Sequence, residues 1–158
     1  MKVGKTTVSI YLSRAIPSAE TSAPEDGRPK DVVDGDETVL IVEDNENVRE
    51  VATVVVGSLG YRVISAADAC EALTLIGRVQ GIDMMVSDIV MSGGIDGFEL
   101  ARRARKLHPG LPILLMSGFP VKAETGEASE FPILRKPYRR DELARHIRAA
   151  LSEPMAAA

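Results

Sequence analysis

Cysteine and long apolar runs are the scarcest features of this 158-residue chain. Cys70 is the single cysteine, which excludes an internal disulfide and a cysteine metal cluster and indicates a reducing compartment. No stretch reaches the roughly 20 apolar residues of a membrane span. Residues 1–12 also lack the continuous apolar region of a signal peptide. The sequence therefore predicts a soluble, cytoplasmic segment without membrane contact.

An excess of basic charge is missing as well. The chain has 19 basic and 23 acidic residues and a net charge of -4, which disfavours binding to a polyanionic backbone. We therefore expect no nucleic acid partner. The 45% hydrophobic content is sufficient for one core in a chain of this length.

The composition changes along the chain. Residues 17–37 are rich in Pro, Ser, Glu, Asp and Gly, which is typical of a linker that cannot bury enough surface to order itself. The folded domain is predicted to cover residues 38–152, and residues 153–158 form a tail. Residues 1–16 precede the linker and are considered below.

Short apolar runs alternate with helix-period segments throughout the domain. Strands are predicted at 39–42, 62–66, 84–87, 113–116 and 133–134. Helices are predicted at 45–59, after the cap Asp68, at 98–107, weakly at 122–129, and at 141–151. We expect an α/β fold with a doubly wound, five-stranded parallel sheet. The expected strand order, 2-1-3-4-5, is taken from flavodoxin-like folds and does not follow from the residues themselves.

The first helix is predicted to turn one set of apolar side chains inward. Its inward residues by helical spacing are Val48, Val51, Ala52, Val55 and Leu59.

Polar residues end four of these buried strands. Glu43 and Asp44 follow the first strand, Asp88 ends the third, Ser117 the fourth, and Lys136 the fifth. Ligands of open α/β sheets bind outside the carboxyl ends of the strands, so these side chains should share one crevice. Three clustered carboxylates require a compensating cation, and their hard oxygen atoms favour Mg²⁺.

Five short motifs resemble those of the response-regulator receiver family. They occur in the family's order and spacing across about 115 residues: IVEDN at 41–45, SDIVM at 87–91, DGFEL at 96–100, LLMSG at 114–118 and LRKPY at 134–138. Each motif is weak alone, whereas the set is highly specific.

The resemblance implies that Asp88 is the nucleophile that accepts a phosphoryl group from phosphohistidine. The donor would be a histidine kinase or a histidine phosphotransfer domain. The resemblance also implies that Asp44 and Asp88 bind Mg²⁺ together with the backbone carbonyl of Val90, while Glu43 acts through coordinated water. The protein would then be a phosphoacceptor switch, not an enzyme that acts on external substrates.

Two further residues receive roles through the resemblance. Lys136 would hold the phosphoryl oxygens as a point charge, and Ser117 would donate a hydrogen bond to the new phosphoryl group. Movement of Ser117 would shift the loop after the fourth strand and so produce a two-state switch.

Several positions depart from the family pattern. Ser92, Gly93 and Gly94 follow the acceptor strand where many relatives have proline, which predicts a flexible loop. Val90 and Phe119 are apolar, and neither side chain can orient an attacking water, which predicts a long-lived phosphorylated state.

The segment GKTTVSIYLSRA at 4–15 resembles the last strand of a histidine-kinase ATP-binding domain. A phosphate-binding loop is rejected, because its first glycine would have to lie five positions before the Gly-Lys pair, and only three residues precede Gly4. We infer that the chain is the C-terminal receiver of a hybrid histidine kinase. Its isolated strand could pair with another chain, so a homodimer is an open possibility.

Other functions and simpler interpretations explain the strand-end residues less well. A phosphatase of the haloacid dehalogenase type would need an aspartate at position 90. A phosphate-independent docking module leaves the strand-end residues unexplained, and a DNA-binding regulator is not expected because only seven residues follow Leu151. Asp88 and Lys136 alone could form an ordinary ion pair. Cys70 is expected to be packed, and Gly97 to lie in a turn.

Overall fold

A computed structural model of the chain describes residues 36–119 and 130–152. The predicted kinase-like strand, the linker up to residue 35, the weak helix at 122–129 and the tail lie outside the described residues. None of the described helices is both long enough and apolar enough to cross a membrane.

The described residues form a parallel sheet with helices between the strands. The strands are β1 Thr38–Val42, β2 Arg62–Ala66, β3 Met84–Asp88, β4 Ile113–Ser117 and β5 Ile133–Arg135. The helices are α1 Glu46–Gly57, α2 Ala69–Arg78, α3 Gly97–Leu107 and α4 Arg140–Ser152. The sheet order is β2-β1-β3-β4-β5 and every pairing is parallel, so the predicted fold class and strand order are confirmed.

The sheet is buried on both faces because its central strands are apolar at successive positions. Leu40 and Met85 pack on one face with residues of α2 and α3. Val39 and Met84 pack on the opposite face with residues of α1 and α4. This arrangement leaves the ends of the strands as the accessible edges of the sheet.

The inward face of α1 was predicted incorrectly in part. Val51 is 63% exposed and Val48 is 37% exposed, whereas Ala52 and Val56 are buried against the sheet. Valines occur on more than one side of this helix, so helical spacing alone did not select the face that packs. The small Ala52 side chain lies in the interface instead.

The start of α2 follows its sequence signal. Asp68 Oδ1 accepts a hydrogen bond of 2.8 Å from Glu71 N, and Glu71 Oε2 accepts one of 2.7 Å from Ala67 N. This reciprocal cap satisfies two amide groups at the helix start. Cys70 was expected to be packed but is exposed, because the face of α2 that carries Ala69 and Ala72 packs against the core.

Candidate functional site

The polar residues predicted at the strand ends lie at one edge of the sheet. β1, β3, β4 and β5 are consecutive neighbours, and the parallel register places Asp88 beside Met116 and Ser117 beside Arg135. The residues that end these strands therefore emerge side by side. A crevice at this edge is the expected position for a ligand in an open α/β sheet.

Lys136 bridges two of the predicted carboxylates. Its Nζ lies 2.8 Å from Glu43 Oε2 and 2.9 Å from Asp88 Oδ2. Glu43 is buried, and the side chain of Lys136 is 22% exposed. Burial opposes the charge on Lys136, but its hydrogen bonds to Glu43 and Asp88 raise its pKa above the ordinary value. The ammonium group is therefore a fixed positive charge beside Asp88.

Asp88 is also held by the backbone amide of the next residue and lies against the start of α3. Its Oδ1 accepts a hydrogen bond of 2.8 Å from Ile89 N. A Cβ atom at Gly97 would lie only 2.3 Å from the Asp88 carbonyl oxygen, so α3 can approach the acceptor strand this closely only with glycine. Gly97 begins a helix and does not lie in the expected turn.

Arg49 holds the backbone of the acidic pair, although the sequence did not single it out. Its Nη1 donates to the Glu43 carbonyl oxygen at 2.7 Å and to the Asp44 carbonyl oxygen at 3.5 Å. The sequence offers one signal for this role, the position of Arg49 near the start of α1. A cation near a helix N-terminus interacts unfavourably with the helix dipole, so its presence there indicates a compensating contact. The two carbonyl oxygens provide this compensating contact.

Asp44 has a different partner from Glu43 and Asp88. Its Oδ2 accepts a hydrogen bond of 2.8 Å from Ser92 N, in the loop between β3 and α3. The backbone amide of Ser92, followed by its hydroxyl, lowers the pKa of Asp44 below the ordinary value. Sequence reasoning noted Ser92 only as a departure from proline, because a backbone donor leaves no side-chain pattern.

Ser117 is engaged in a local turn. Its Oγ donates to the Phe119 carbonyl oxygen at 2.8 Å and accepts from Phe119 N at 3.2 Å. The side chains of Val90 and Phe119 are 60% and 71% exposed. Both apolar side chains are therefore largely exposed to solvent.

The donor chemistry of this edge fits a divalent cation. Within residues 36–119 and 130–152, no three Asp, Glu, His or Cys side chains are already gathered as a metal-binding group. Three carboxylates and one bridging ammonium nevertheless lie at the strand ends. If all are ionised, two negative charges remain, which one Mg²⁺ ion would neutralise.

The fold and the crevice together define a doubly wound α/β domain with its site at the carboxyl ends of the strands. The profile of the response regulator receiver domain matches residues 39–148. The chain belongs to this family, whose members are the receiver domains of two-component signalling and generally accept phosphoryl groups.

Two curated proteins show the range of relatives. The sensor kinase CckA of Brucella abortus is 34% identical over 163 residues, which covers 96% of this chain and 17% of that protein. The DNA-binding transcriptional regulator NtrC of Rhizobium meliloti is 32% identical over 120 residues, which covers 74% of this chain and 24% of that protein. The chain therefore spans at most a quarter of either relative.

Two solved structures are similar to the described domain. The receiver domain of the hybrid histidine kinase CckA is 35% identical with a TM-score of 0.61, covering 73% of this chain and 99% of that one. The response regulator TrrA of Thermotoga maritima, solved in complex with Mg²⁺ and BeF, is 25% identical with a TM-score of 0.66. That match covers 72% of this chain and 98% of the TrrA chain.

Proposed function

We propose that this chain is a phosphorelay receiver in which Asp88 accepts a phosphoryl group from phosphohistidine and the domain then changes conformation. The supporting observation is the Lys136 ammonium, 2.9 Å from Asp88 Oδ2 at the carboxyl edge of the sheet. Phosphoryl transfer depends mainly on positioned positive charge around the phosphoryl oxygens and needs little covalent assistance. Lys136 is placed to provide such charge.

In the proposed reaction, an Asp88 carboxylate oxygen attacks phosphorus. A P–O bond forms while the P–N bond of phosphohistidine breaks, and the imidazole leaves with the electron pair of that bond and takes up a proton. The hydrogen bond from Ile89 N to Asp88 Oδ1 keeps the carboxylate in one orientation during the attack. Lys136 then stays close to the transferred group.

We assign magnesium binding to Asp44, Asp88 and the backbone carbonyl of Val90, with Glu43 acting through coordinated water. Bound Mg²⁺ supplies positive charge to the oxygens of the transferring group. The structure of TrrA, a similar domain, contains Mg²⁺ with BeF, which supports the assignment by analogy. Glu43 Oε2 faces Lys136 at 2.8 Å, so this carboxylate also holds the lysine in place.

The conformational change would begin at Ser117. Its hydroxyl must leave the Phe119 carbonyl oxygen before it can donate to a phosphoryl group on Asp88. Phe119 would lose a hydrogen bond in that step, and its backbone would then be free to rearrange. The expected exit of the signal through residues 122–129 lies outside the described residues and stays a prediction.

The histidine-bearing partner would dock beside the crevice on α1. This helix begins directly after the acidic pair and exposes a row of valines at three-residue spacing. Val48, Val51 and Val54 are 37%, 63% and 66% exposed. A partner has to cover the surroundings of Asp88 to deliver a phosphoryl group, and an apolar row at this position suits a helical histidine kinase or phosphotransfer domain.

We also infer that the chain is the cytoplasmic receiver of a hybrid histidine kinase. The alignment with the sensor kinase CckA covers 96% of the chain, so it includes most residues that precede the family match at 39. This extent supports the interpretation of residues 1–16 as part of a kinase ATP-binding domain and of residues 17–37 as a linker.

Phosphorylation by a small-molecule donor tests the central proposal. The protein is incubated with phosphoramidate, with MgCl₂ or with EDTA, and its intact mass is measured. We expect one added phosphoryl group with MgCl₂ and none with EDTA. Asp88→Asn should show none under either condition.

The matched control is Asp141→Asn, which removes an exposed carboxylate from the first turn of α4. This variant should be phosphorylated like the parent chain. Equal phosphorylation of the parent chain and Asp88→Asn would refute the assignment of the acceptor.

A further inference from the structure

A backbone amide group holds one side of the proposed magnesium site. Ser92 N donates to Asp44 Oδ2 at 2.8 Å and thereby joins the end of β1 to the loop between β3 and α3. The acceptor is a carboxylate, and hydrogen bonds to ionised acceptors are roughly twice as strong as those between neutral groups. The two residues are 48 positions apart, so the bond is a tertiary contact.

The loop after Ser92 has a backbone geometry that favours glycine. Gly93 and Gly94 have φ angles of 111° and 83°, in the region that favours glycine. Side chains at these positions would be strained although the surrounding space is open. The Ser-Gly-Gly sequence therefore combines an amide donor with a turn that only glycine adopts easily.

The orientation of a carboxylate matters for a metal ion that binds it through a single oxygen. A carboxylate that is already hydrogen-bonded through one oxygen loses less rotational freedom when its other oxygen binds the ion. Hydrogen bonds to ligating carboxylates commonly set metal affinity in proteins. Proline at position 92 would have no N–H group and could not make this contact.

We propose that Ser92 is a positioning residue of the magnesium site, because its backbone N–H fixes the Asp44 carboxylate before the ion binds. The inference rests on the proposed function, in which Asp44 is a magnesium ligand. Ser92 itself does not contact the ion.

The test measures binding of MgCl₂ to the unphosphorylated full chain by calorimetry, so it does not depend on phosphoryl transfer. Ser92→Pro removes the N–H donor and the hydroxyl, and we expect its dissociation constant for Mg²⁺ to rise about tenfold. Ser92→Ala keeps the N–H donor and should bind Mg²⁺ like the parent chain. Thermal unfolding of each variant shows whether the domain is intact.

A second measurement on the parent chain does not require any variant to fold. We expect the Ser92 amide proton to exchange with solvent more slowly than the amide proton of the exposed Gly118, both without and with saturating MgCl₂. Equal exchange of the two amide protons without MgCl₂ would overturn the inference.

Asp44→Asn separates the two levels of the proposal. If Asp44→Asn binds Mg²⁺ as well as the parent chain does, the assignment of Asp44 as a ligand fails and the role of Ser92 fails with it. If Asp44→Asn binds weakly while Ser92→Pro binds like the parent or more tightly, only the role of Ser92 is refuted. Tighter binding by Ser92→Pro would show that the Ser92 amide competes with the ion.

Discussion

The Lys136 side of the crevice is held by the sheet, whereas the Asp44 side is held by a loop. Glu43, Asp88 and Lys136 lie at strand ends, and Lys136 Nζ contacts the carboxylates of Glu43 and Asp88 at 2.8 and 2.9 Å. Asp44 instead accepts a hydrogen bond from the backbone of Ser92, an exposed loop residue. The sheet therefore fixes Asp88 and Lys136, the proposed acceptor and its lysine, whereas the loop fixes Asp44, a proposed magnesium ligand.

Removal of the lysine should have the largest effect on the sheet-held side. We expect Lys136→Met to slow phosphorylation by phosphoramidate by about 10²- to 10³-fold, because a preorganised charge next to the transferring group is lost. The rate is measured by intact mass at saturating MgCl₂. Arg135→Met, an exposed neighbour on β5, should keep the parent rate. Similar rates for both variants would remove the distinction between Lys136 and an ordinary surface cation.

Gly97→Ala tests how tightly α3 is fixed to the acceptor strand. The added Cβ would lie 2.3 Å from the Asp88 carbonyl oxygen, so the backbone has to move. We expect the free energy of unfolding in urea to fall by about 2–3 kcal/mol. Gly57→Ala, at the end of α1, meets no atom within 4 Å and should be neutral or slightly stabilising. Equal changes in the free energy of unfolding for both substitutions would show that the backbone around Asp88 accommodates a side chain as easily as the end of α1 does.

Arg49 contacts the carbonyl groups of both Glu43 and Asp44 and so connects the two sides of the crevice. We expect Arg49→Ala to lower the free energy of unfolding by about 1–2 kcal/mol, since hydrogen bonds to a charged donor are lost. Arg49→Lys keeps the charge but not the planar guanidinium group, and should recover only part of the loss. Full recovery by lysine would show that charge alone is required.

A smaller effect is expected from Val90 on the loop-held side. Val90→Asn introduces a polar side chain able to orient water toward the phosphorylated Asp88. We expect the phosphorylated state to decay about two- to tenfold faster, a fraction of the usual acid–base contribution to catalysis. Val54→Asn, which changes an exposed valine of α1, should leave the decay unchanged. An unchanged decay in Val90→Asn would refute the proposed effect of Val90 on the lifetime.

The side of the crevice that is held by strand-end side chains could be predicted from the sequence more completely than the side that is held by a loop. Four of the strands are short apolar runs that end in polar residues or are followed by them, so these strands and their polar ends can be predicted from local composition, whereas the strand order cannot. The parallel order then brings Glu43, Asp88 and Lys136 into contact. Side-chain chemistry at strand ends is therefore visible in the sequence.

Backbone-mediated contacts are not visible in this way. The donor to Asp44 is a main-chain amide, and the acceptors of Arg49 are main-chain carbonyl groups, which every residue type can provide. The packed face of α1 was also ambiguous, because valines lie on several sides of the helix and the small Ala52 is buried instead. These features depend on tertiary contacts between distant segments or on how closely a helix approaches the sheet.

Localising the transferred phosphoryl group tests the central claim most directly. A phosphorylated histidine-kinase domain is mixed with the chain in MgCl₂, and peptides of the product are sequenced by mass spectrometry. The account predicts that the phosphoryl group is found on Asp88 alone and is absent from Asp88→Asn. A phosphoryl group on another residue of the parent chain, or undiminished transfer to Asp88→Asn, would contradict it.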